Sequence, residues 1–530
     1  MTASQKRREL LLSAAVCLAV AALLLLLCSQ SSPLYPINLW DDANCLLTVG
    51  RVMRAGGVLY RDIYEQKGPT LYLLHDIAAC ISDTSFFGVY VMEVLSLAAA
   101  LLFSCRLLRL RFSLHASLAG TGLSYALLLT SASFARGDSA EEFCLPLLAA
   151  ALYIAFSEYD RDAGPMRPSR LMLCGLAAGL VATIKYTVLG LFVGLCLCEG
   201  VLALRAGGLR RALVSGGAFL LGMAAPIALW CAYLAANGAL ADFITAYLYN
   251  NIFLYDAGAG AADTLIQLLR IARDNALWIV PTGAGALCFT LFGQENGELR
   301  AVAFTASACA AIVTLFIGRL WPYCALALGA LMPIGLLGLR EPTHRLGLVF
   351  RQTRTGCDVS SDGTKDKSGT LVIDAPNDSE NLPATYCART SRTSLLLCAA
   401  CLALSIAIAC FASPNAFLRG IPLGDLAQGR LADKIPHGAT LLQYSHLDDG
   451  LYLTSGALPQ ERFFVLLNVR YQAMLDALDG YVARGEPDYV LISWRELPEE
   501  FGLYELIAQD TAYDDENRLN KALYLYKRRD

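Results

Sequence analysis

Two adjacent carboxylates, Asp41 and Asp42, are the clearest candidates for chemistry in this sequence. They precede a segment with amphipathic spacing, Ala43 to Arg54, and further charged and aromatic residues follow as far as Pro69. Two close negative charges raise the pKa of one carboxyl or recruit a counter-ion, so such a pair suits general-base catalysis or the binding of a divalent cation. The alternative is structural, because both residues could cap the helix that follows them. The pair alone leaves both interpretations open.

The chain as a whole has the composition of a membrane protein. Of its 530 residues 56% are hydrophobic and only 17% are charged, against roughly 25% charged residues in ordinary soluble proteins. The net charge of −4 provides no basic surface for nucleic-acid phosphates, which argues against a nucleic-acid partner. The five histidines are scattered and most cysteines lie in apolar runs, so neither a His/Cys metal site nor a disulfide framework is expected.

Hydropathy predicts an all-α polytopic membrane domain of about eleven transmembrane helices. Lys6-Arg7-Arg8 precedes the first apolar run, which is long enough for an uncleaved helix and longer than the core of a typical signal peptide. Several of the other runs are short, and they are expected to be tilted or half-embedded. The predicted helices are Leu10–Cys28, Phe86–Leu107, Leu114–Phe134, Phe143–Phe156, Leu171–Ile184, Thr187–Leu204, Ala212–Ala235, Ala276–Phe292, Val302–Ile317, Tyr323–Leu339 and Ser394–Phe411.

Arginine clusters occur in alternate loops, near Arg106, Arg161, Arg205 and Arg340, on the same predicted side as Lys6. By the positive-inside rule this side is the cytoplasm. The loop from 29 to 85, the link from 136 to 142, the stretch from 238 to 275 and everything after 412 are then outside. The sequence thus predicts a membrane domain over 1–339, a flexible cytoplasmic loop over 340–393, a last transmembrane helix over 394–412 and an extracytoplasmic domain over 413–530.

The segment after 413 has the pattern of a small soluble α/β domain. Short apolar stretches at Ala439–Tyr444, Asp488–Trp494 and Ala522–Tyr526 predict strands, and Val469–Arg484 has helical spacing. No internal repeat of the solenoid or inverted-transporter type is evident.

The motif that contains the two carboxylates resembles the first outer loop of GT-C-type membrane glycosyltransferases. This group includes the protein O-mannosyltransferases and the aminoarabinose transferase of lipid A. Glu65 departs from the pattern, since aspartate is commoner there, and Ala43-Asn44 stands where a small residue and glycine are expected. The matching residues are Asp42, Gly50, Gly57, Tyr60-Arg61-Asp62, Glu65, Lys67-Gly68-Pro69 and Tyr72.

Four further motifs follow in the order and on the side that this resemblance requires. Cys324 departs from the last of them, since tyrosine or phenylalanine is more usual there. The resemblance extends over most of the chain up to about residue 339. The motifs are Gly137–Pro146, the glycine-rich stretch Gly175–Leu180 with Lys185 after it, Tyr249-Asn250-Asn251, and Gly318–Tyr323.

The resemblance implies an inverting glycosyltransferase in the bacterial plasma membrane. It would transfer a sugar from a polyprenyl-phosphate carrier to a hydroxyl acceptor of the cell envelope at the outer face. Asp42 would be the general base, with Asp41 or Glu142 assisting, and a divalent cation shared by Asp42 and Glu142 is left open. The extracytoplasmic domain would cap the cavity or help to select the acceptor. The implied phosphate-binding residues are Arg61, Lys67, Lys185 and Arg319, and the implied substrate contacts are Tyr60, Asp62, Glu65, Glu141, Glu142 and Asn250.

Charged residues at the ends of predicted spans give independent support for a polar cavity. A charged side chain at membrane depth costs about 2.5 to 3.5 kcal/mol on insertion scales, so such residues are expected to face a polar cavity and not lipid. Lys185, Arg136 and Glu141 lie at the ends of predicted spans. The alternative for Lys185 is snorkelling to the nearby interface. Two other function classes remain open: a transporter or flippase, whose site must be reachable from both faces, and a non-catalytic subunit for envelope polysaccharide.

Overall fold

The structure is a computed structural model that describes residues 2–161, 164–255, 261–293, 295–316, 321–340, 392–514 and 519–529. Arg319 and nearly all of the predicted cytoplasmic loop over 340–393 lie outside the described residues. Within them, the first part of the chain is helical and a small mixed sheet occurs after residue 440.

Fourteen helices, α1 to α14, precede the C-terminal domain in the described residues. The fragment α9 continues as a π-helix over Ile244–Leu254, and α13 begins with 3₁₀ turns. The helices are α1 Ala3–Cys28, α2 Asp41–Arg54, α3 Pro69–Ile81, α4 Phe87–Leu108, α5 Leu114–Leu129, α6 Ala140–Arg161, α7 Pro168–Ala182, α8 Gly190–Ala236, α9 Leu240–Phe243, α10 Ala261–Asp274, α11 Ala276–Phe292, α12 Gly297–Phe316, α13 Pro322–Arg340 and α14 Arg392–Ala412.

All eleven predicted hydrophobic stretches are helical, which confirms a polytopic membrane domain. Among the described helices, seven are long and apolar enough to cross a bilayer, or eight if α10 and α11, bent by 96°, form one span. Helix α8 contains two predicted spans, because its 47 residues are interrupted at Gly207 and Gly208. Gly208 has φ of +61°, a conformation that glycine adopts without the steric penalty of a side chain. The predicted loop around Arg205 is therefore a two-residue break.

Three helices of the membrane domain are not predicted by the sequence, namely α3, α10 and α9 with its π-helical continuation, and all lie in stretches predicted to be outer loops. Helix α3 is apolar but only 13 residues long, too short for hydropathy to identify as a span. Helix α10 is strongly amphipathic and was interpreted as loop. Helices α2 and α3 pack closely at Gly50, where a Cβ would lie 2.5 Å from the carbonyl carbon of His75.

The membrane domain has two distinct ends. At one end, the loops that carry the arginine clusters meet: Arg109 Nε lies 2.8 Å from Glu9 Oε1, and Arg111 Nη2 lies 2.5 Å from Asp160 Oδ1. We call this the arginine end. At the other end of α1, Asn415 donates a hydrogen bond of 2.6 Å to the carbonyl of Cys28. The C-terminal domain therefore sits at the end opposite the arginines.

The C-terminal domain contains a four-stranded sheet in the order β1-β2-β4-β3. Strand β1 pairs in parallel with β2, while β2 with β4 and β4 with β3 are antiparallel. The predicted strands correspond to β1, β2 and β4, and the predicted helix to α17; β3 was missed. The elements are α15 Ala427–Ala432, β1 Leu441–Gln443, α16 Leu451–Thr454, α17 Gln472–Ala483, β2 Tyr489–Ser493, β3 Tyr504–Asp514 and β4 Leu519–Arg528.

Candidate active site

A cavity of about 540 Å³ lies between the membrane domain and the C-terminal domain, at the end opposite the arginines. Both domains contribute charged side chains to its lining. The membrane domain provides Asp41, Asp42, Lys67, Arg136, Glu141 and Lys185, and the C-terminal domain provides Asp425, Arg430, His446, Asp449 and Lys521.

Lys67 lies in the loop between α2 and α3 and contacts the carboxylate of Asp42. Its Nζ lies 2.7 Å from Asp42 Oδ1 and 3.4 Å from Glu65 Oε1. Three side chains hold its backbone: the Tyr60 hydroxyl donates to its carbonyl, and its amide donates to Glu65 Oε2 and to the Tyr72 hydroxyl. Burial lowers the pKa of Lys67, but the charges of Asp42 and Glu65 outweigh this and raise it, so the ammonium form is favoured. The motif therefore positions one charged amine beside Asp42.

Gly68 joins this loop to the end of α7. The Gly68 amide donates to the carbonyl of Ile184, and the Thr70 amide donates to that of Thr183. A Cβ on Gly68 would lie 2.2 Å from the Thr183 carbonyl oxygen, so only glycine permits this approach. The contact places Lys67 and Lys185 on the same cavity, although 118 positions separate them.

Lys185, in the extended link after α7, is paired with a carboxylate of α6. Its Nζ lies 2.5 Å from Glu141 Oε1, at the first turn of α6, and 5.0 Å from the ring centroid of Tyr323. The Glu141 side chain is 1% exposed and that of Lys185 is 24% exposed. A cation held between a buried carboxylate and an aromatic face is oriented toward the cavity and not toward the bilayer surface. The geometry thus favours the polar-cavity interpretation over snorkelling.

Asp41 and Asp42 occupy the first turn of α2, but they face different partners. The N-cap residue is Trp40, and it forms no side-chain capping hydrogen bond. Asp42 pairs with Lys67, whereas Asp41 Oδ2 lies 3.0 Å from Lys521 Nζ and 3.1 Å from His446 Nδ1. Burial raises the pKa of Asp41, but the charges of Lys521 and His446 outweigh it and bring the pKa down to about 2. Both carboxylates therefore have contacts beyond helix capping.

Three residues of the Tyr60-Arg61-Asp62 motif do not line the cavity. The exposed Arg61 guanidinium lies 2.7 Å from Asp62 Oδ1 and donates to the carbonyl of Asn237. Asp62 Oδ2 accepts from the amide of Val58, and the buried Tyr60 has φ of +67°. The motif thus shapes the loop that carries Lys67, and the structure does not bring Arg61 to the predicted phosphate site.

Glu142, Glu65 and Asn250 are buried and also lie behind the cavity wall. Glu142 Oε2 accepts from the amide of Asp138, and Asn250 Nδ2 donates to the Tyr64 hydroxyl at 2.5 Å. Within the described parts of the chain, no group of three or more His, Cys, Asp or Glu side chains is arranged to hold a metal. A cation shared by Asp42 and Glu142 stays a prediction.

Several lining residues were not identified from the sequence. Asn251 lines the cavity in place of its neighbour Asn250, and Tyr323 lies inside a recognised motif, so both could have been found by testing adjacent positions. His446, Asp449 and Lys521 belong to the C-terminal domain and carry no motif. Only their three-dimensional contacts identify them: His446 and Lys521 pair with Asp41, and Asp449 pairs with Lys521.

The sequence resemblance to GT-C-type transferases is confirmed in the fold. Two crystal structures of ArnT from Cupriavidus metallidurans match 99% of this chain and 98% of their own. The apo form has 14% sequence identity and a TM-score of 0.57, and the form bound to undecaprenyl phosphate has 15% and 0.58. No family model matches the sequence, and no curated protein matches it significantly. The chain therefore has an ArnT-like fold, that is, a GT-C-like membrane domain with a C-terminal α/β domain.

Proposed function

We propose that this protein is a glycosyltransferase that uses a polyprenyl-phosphate-linked sugar as donor. It transfers the sugar to a hydroxyl group of an envelope glycan, lipid or protein at the outer face of the plasma membrane. The observation that carries the proposal is the pair of lysines, Lys67 and Lys185, on one cavity beside the carboxylate of Asp42. An ArnT structure with a related fold holds undecaprenyl phosphate, which supports a lipid phosphate as the ligand.

The two lysines are suited to bind and release a phosphate. In this structure Lys67 is paired with Asp42, and Lys185 is paired with Glu141. The two carboxylates thus take the place of the negative charge that a bound phosphate would supply. A phosphate that enters the cavity shares or replaces these partners. Preset cations also stabilise the negative charge that develops on a departing phosphate, and they do so without rearrangement during the reaction.

Asp42 would act as the general base. The acceptor hydroxyl gives its proton to the Asp42 carboxylate, its oxygen attacks the anomeric carbon, and the bond from that carbon to the phosphate oxygen breaks. Attack opposite the leaving phosphate inverts the configuration at the anomeric carbon. Lys67 contacts Asp42 directly, so one ammonium group links the base to the phosphate site. Free polyprenyl phosphate and the glycosylated acceptor are the products.

The position of the cavity favours a transferase over a transporter. A transporter must expose its site alternately to both faces, and intramembrane charges then line a conduction path. Here the lysines and carboxylates are at the end of the membrane domain that carries the C-terminal domain, opposite the arginine end. The C-terminal domain forms part of the cavity wall, as expected of a domain that closes a reaction site or selects an acceptor.

The test is to incubate the purified protein in detergent or nanodiscs with polyprenyl-phosphate sugars and envelope acceptors. Release of free polyprenyl phosphate is measured, with Asp42→Asn as the matched control. The proposal requires release by the wild-type protein and almost none by the variant. A transporter reconstituted in vesicles would move the lipid-linked sugar across the bilayer without releasing polyprenyl phosphate.

A further inference from the structure

A continuous series of charge contacts links the sheet of the C-terminal domain to the first turn of α2. Asp449 Oδ2 accepts hydrogen bonds from Gln443 of β1 and Ser493 of β2. The other oxygen of Asp449 pairs with Lys521 of β4, and Lys521 Nζ lies 3.0 Å from Asp41 Oδ2. Three strands thus hold one amine against the residue that precedes Asp42.

Lys521 is unusual for a lysine because its side chain is only 4% exposed. A buried ammonium group is unfavourable unless it is paired and hydrogen-bonded, and removing its charge leaves buried carboxylates without compensation. Its two carboxylate partners come from different domains. The contact therefore couples the domains at a point that lines the cavity.

The C-terminal domain also holds α2 further along its length. The Thr48 hydroxyl donates to Asp448 Oδ2 at 2.7 Å, and Arg51 Nη1 donates to the Tyr452 carbonyl at 3.0 Å. The N-terminus of α2 has no side-chain cap, since Trp40 makes no capping hydrogen bond. The ion pairs of Asp41 and Asp42 therefore hold the first turn in place of a capping hydrogen bond.

We infer that Lys521 is a positioning residue for sugar transfer, acting through Asp41 to hold the first turn of α2 and thus the Asp42 carboxylate. This inference rests on the proposed function. Lys521 itself does not need to touch either substrate. A misplacement of about 1 Å caused by a change away from the reacting atoms can lower a rate by about 10²-fold, so the effect falls on turnover and not on donor affinity.

The experiment compares Lys521→Met and Lys521→Arg in the full-length protein, with Lys527→Met as the control. Lys527 is on the same strand and does not line the cavity. Lys521→Met should lower kcat by about 10- to 100-fold while the affinity for undecaprenyl phosphate stays within twofold of wild type. Lys521→Arg should recover part of the rate, because it keeps the charge, and Lys527→Met should behave as wild type.

A double-mutant cycle tests the route through Asp41. If Lys521 acts only through that carboxylate, Lys521→Met combined with Asp41→Asn should reduce kcat no more than the worse single variant. Multiplied losses would show independent roles and overturn the inference. Equal loss of undecaprenyl phosphate affinity and kcat in Lys521→Met would also overturn it, because Lys521 would then bind the phosphate directly.

Hydrogen exchange keeps the inference testable even if the proposed function fails. Amide exchange in residues 41–48 should accelerate in Lys521→Met and remain near wild type in Lys521→Arg and Lys527→Met. Unchanged exchange in Lys521→Met overturns the positioning role. Absence of polyprenyl phosphate release by the wild-type protein overturns the transferase proposal instead.

Discussion

Lys185 Nζ, just beyond the end of α7, and Glu141 Oε1, in the first turn of α6, lie 2.5 Å apart at the wall of the cavity. The apolar stretch that precedes Lys185 contains no acidic partner, so this pairing depends on how the end of α7 packs against the start of α6. The ion pair fixes the orientation of the Lys185 ammonium group before any ligand enters the cavity. The same ion pair defines how substitutions at Lys185 should behave.

Lys185→Met should weaken binding of the polyprenyl-phosphate sugar and of free polyprenyl phosphate alike, since both carry the anion, and should leave acceptor affinity nearly unchanged. Lys185→Arg should recover only part of the function, because a planar guanidinium does not replace a compact ammonium in a shaped site. Carrier affinity and thermal stability are measured for both. If Lys185→Met binds the carrier normally and Lys185→Arg is fully active, Lys185 has no role at the phosphate.

Asp42→Asn should reduce the transfer rate by about two to four orders of magnitude, with little change in expression or thermal stability. The carboxylate is partly exposed to the cavity, so it contributes more to the reaction than to packing. Initial rates under saturating donor provide the measurement. Near-normal activity in Asp42→Asn, together with an inactive Asp41→Asn, would assign the base to the preceding residue.

Gly68→Ala should lower the melting temperature by several degrees and abolish most activity. The added methyl group would meet the Thr183 carbonyl oxygen at 2.2 Å and separate the loop of Lys67 from the end of α7. Gly216→Ala is the matched control, because a Cβ at that position in α8 has no neighbour within 4 Å. The control should melt at the wild-type temperature or above it, since alanine is the better helix former. Equal melting temperatures for the two variants would refute the close approach.

The Asp448 carboxyl should make the stability of the interface depend on pH. Burial raises its pKa from 3.8 to about 7. The folded protein therefore holds this proton more tightly than the unfolded chain, and the resulting stabilisation is present below about pH 4 and is lost as the pH rises through 7. Asp448→Asn keeps an acceptor for Thr48 and cannot ionise.

Melting temperatures between about pH 5 and pH 8 compare wild type with Asp448→Asn. We expect the melting temperature of the wild type to fall with rising pH relative to that of the variant, which should be at least as stable at pH 8. Parallel curves would show that Asp448 does not titrate in this range. His446 is a second titrating group at the interface, and it is present in both proteins.

Topology is predicted from the arginine loops: the N-terminal Lys6 is cytoplasmic, and the C-terminal domain is outside. The arginine end and the cavity end lie at opposite ends of α1. Finding which side of the membrane one end faces therefore also assigns the other. Two reporters are fused after Asp530, one that is active only outside the cytoplasm and one that is active only inside it. We expect activity from the first reporter and none from the second. Activity of a cytoplasmic reporter alone would place the cavity on the inner face.

Hydropathy identified the long helices of the membrane domain because lipid-facing helices need long apolar runs, and each of the eleven predicted runs forms a helix. It failed for α3, whose 13 residues are too few, and for β3, whose strand residues Glu505, Gln509 and Asp510 interrupt the apolar pattern. Loop positions such as Lys67 were predicted by their motif.

The motif could not separate residues that line the cavity from residues that support the lining. Tyr60 and Glu65 hold the backbone of Lys67 from behind, and Asn250 contacts Tyr64, yet all three were predicted to touch substrate. Lys521 could not be found at all, because its partner Asp41 is 480 positions away. Contacts across such a distance leave no local pattern in a single sequence.

The pairing of Asp41 with Lys521 also sets an order of events during biosynthesis. A ribosome that has delivered the described helices α1 to α14 has still not made β4, the strand that carries Lys521. The nascent chain can therefore insert into the bilayer with Asp42, Lys67 and Lys185 already synthesised, while the cavity still lacks the wall that the C-terminal domain supplies. Under the proposed transferase function, activity would begin only after the C-terminal domain has folded against α2, so half-made chains would not hydrolyse lipid-linked sugars.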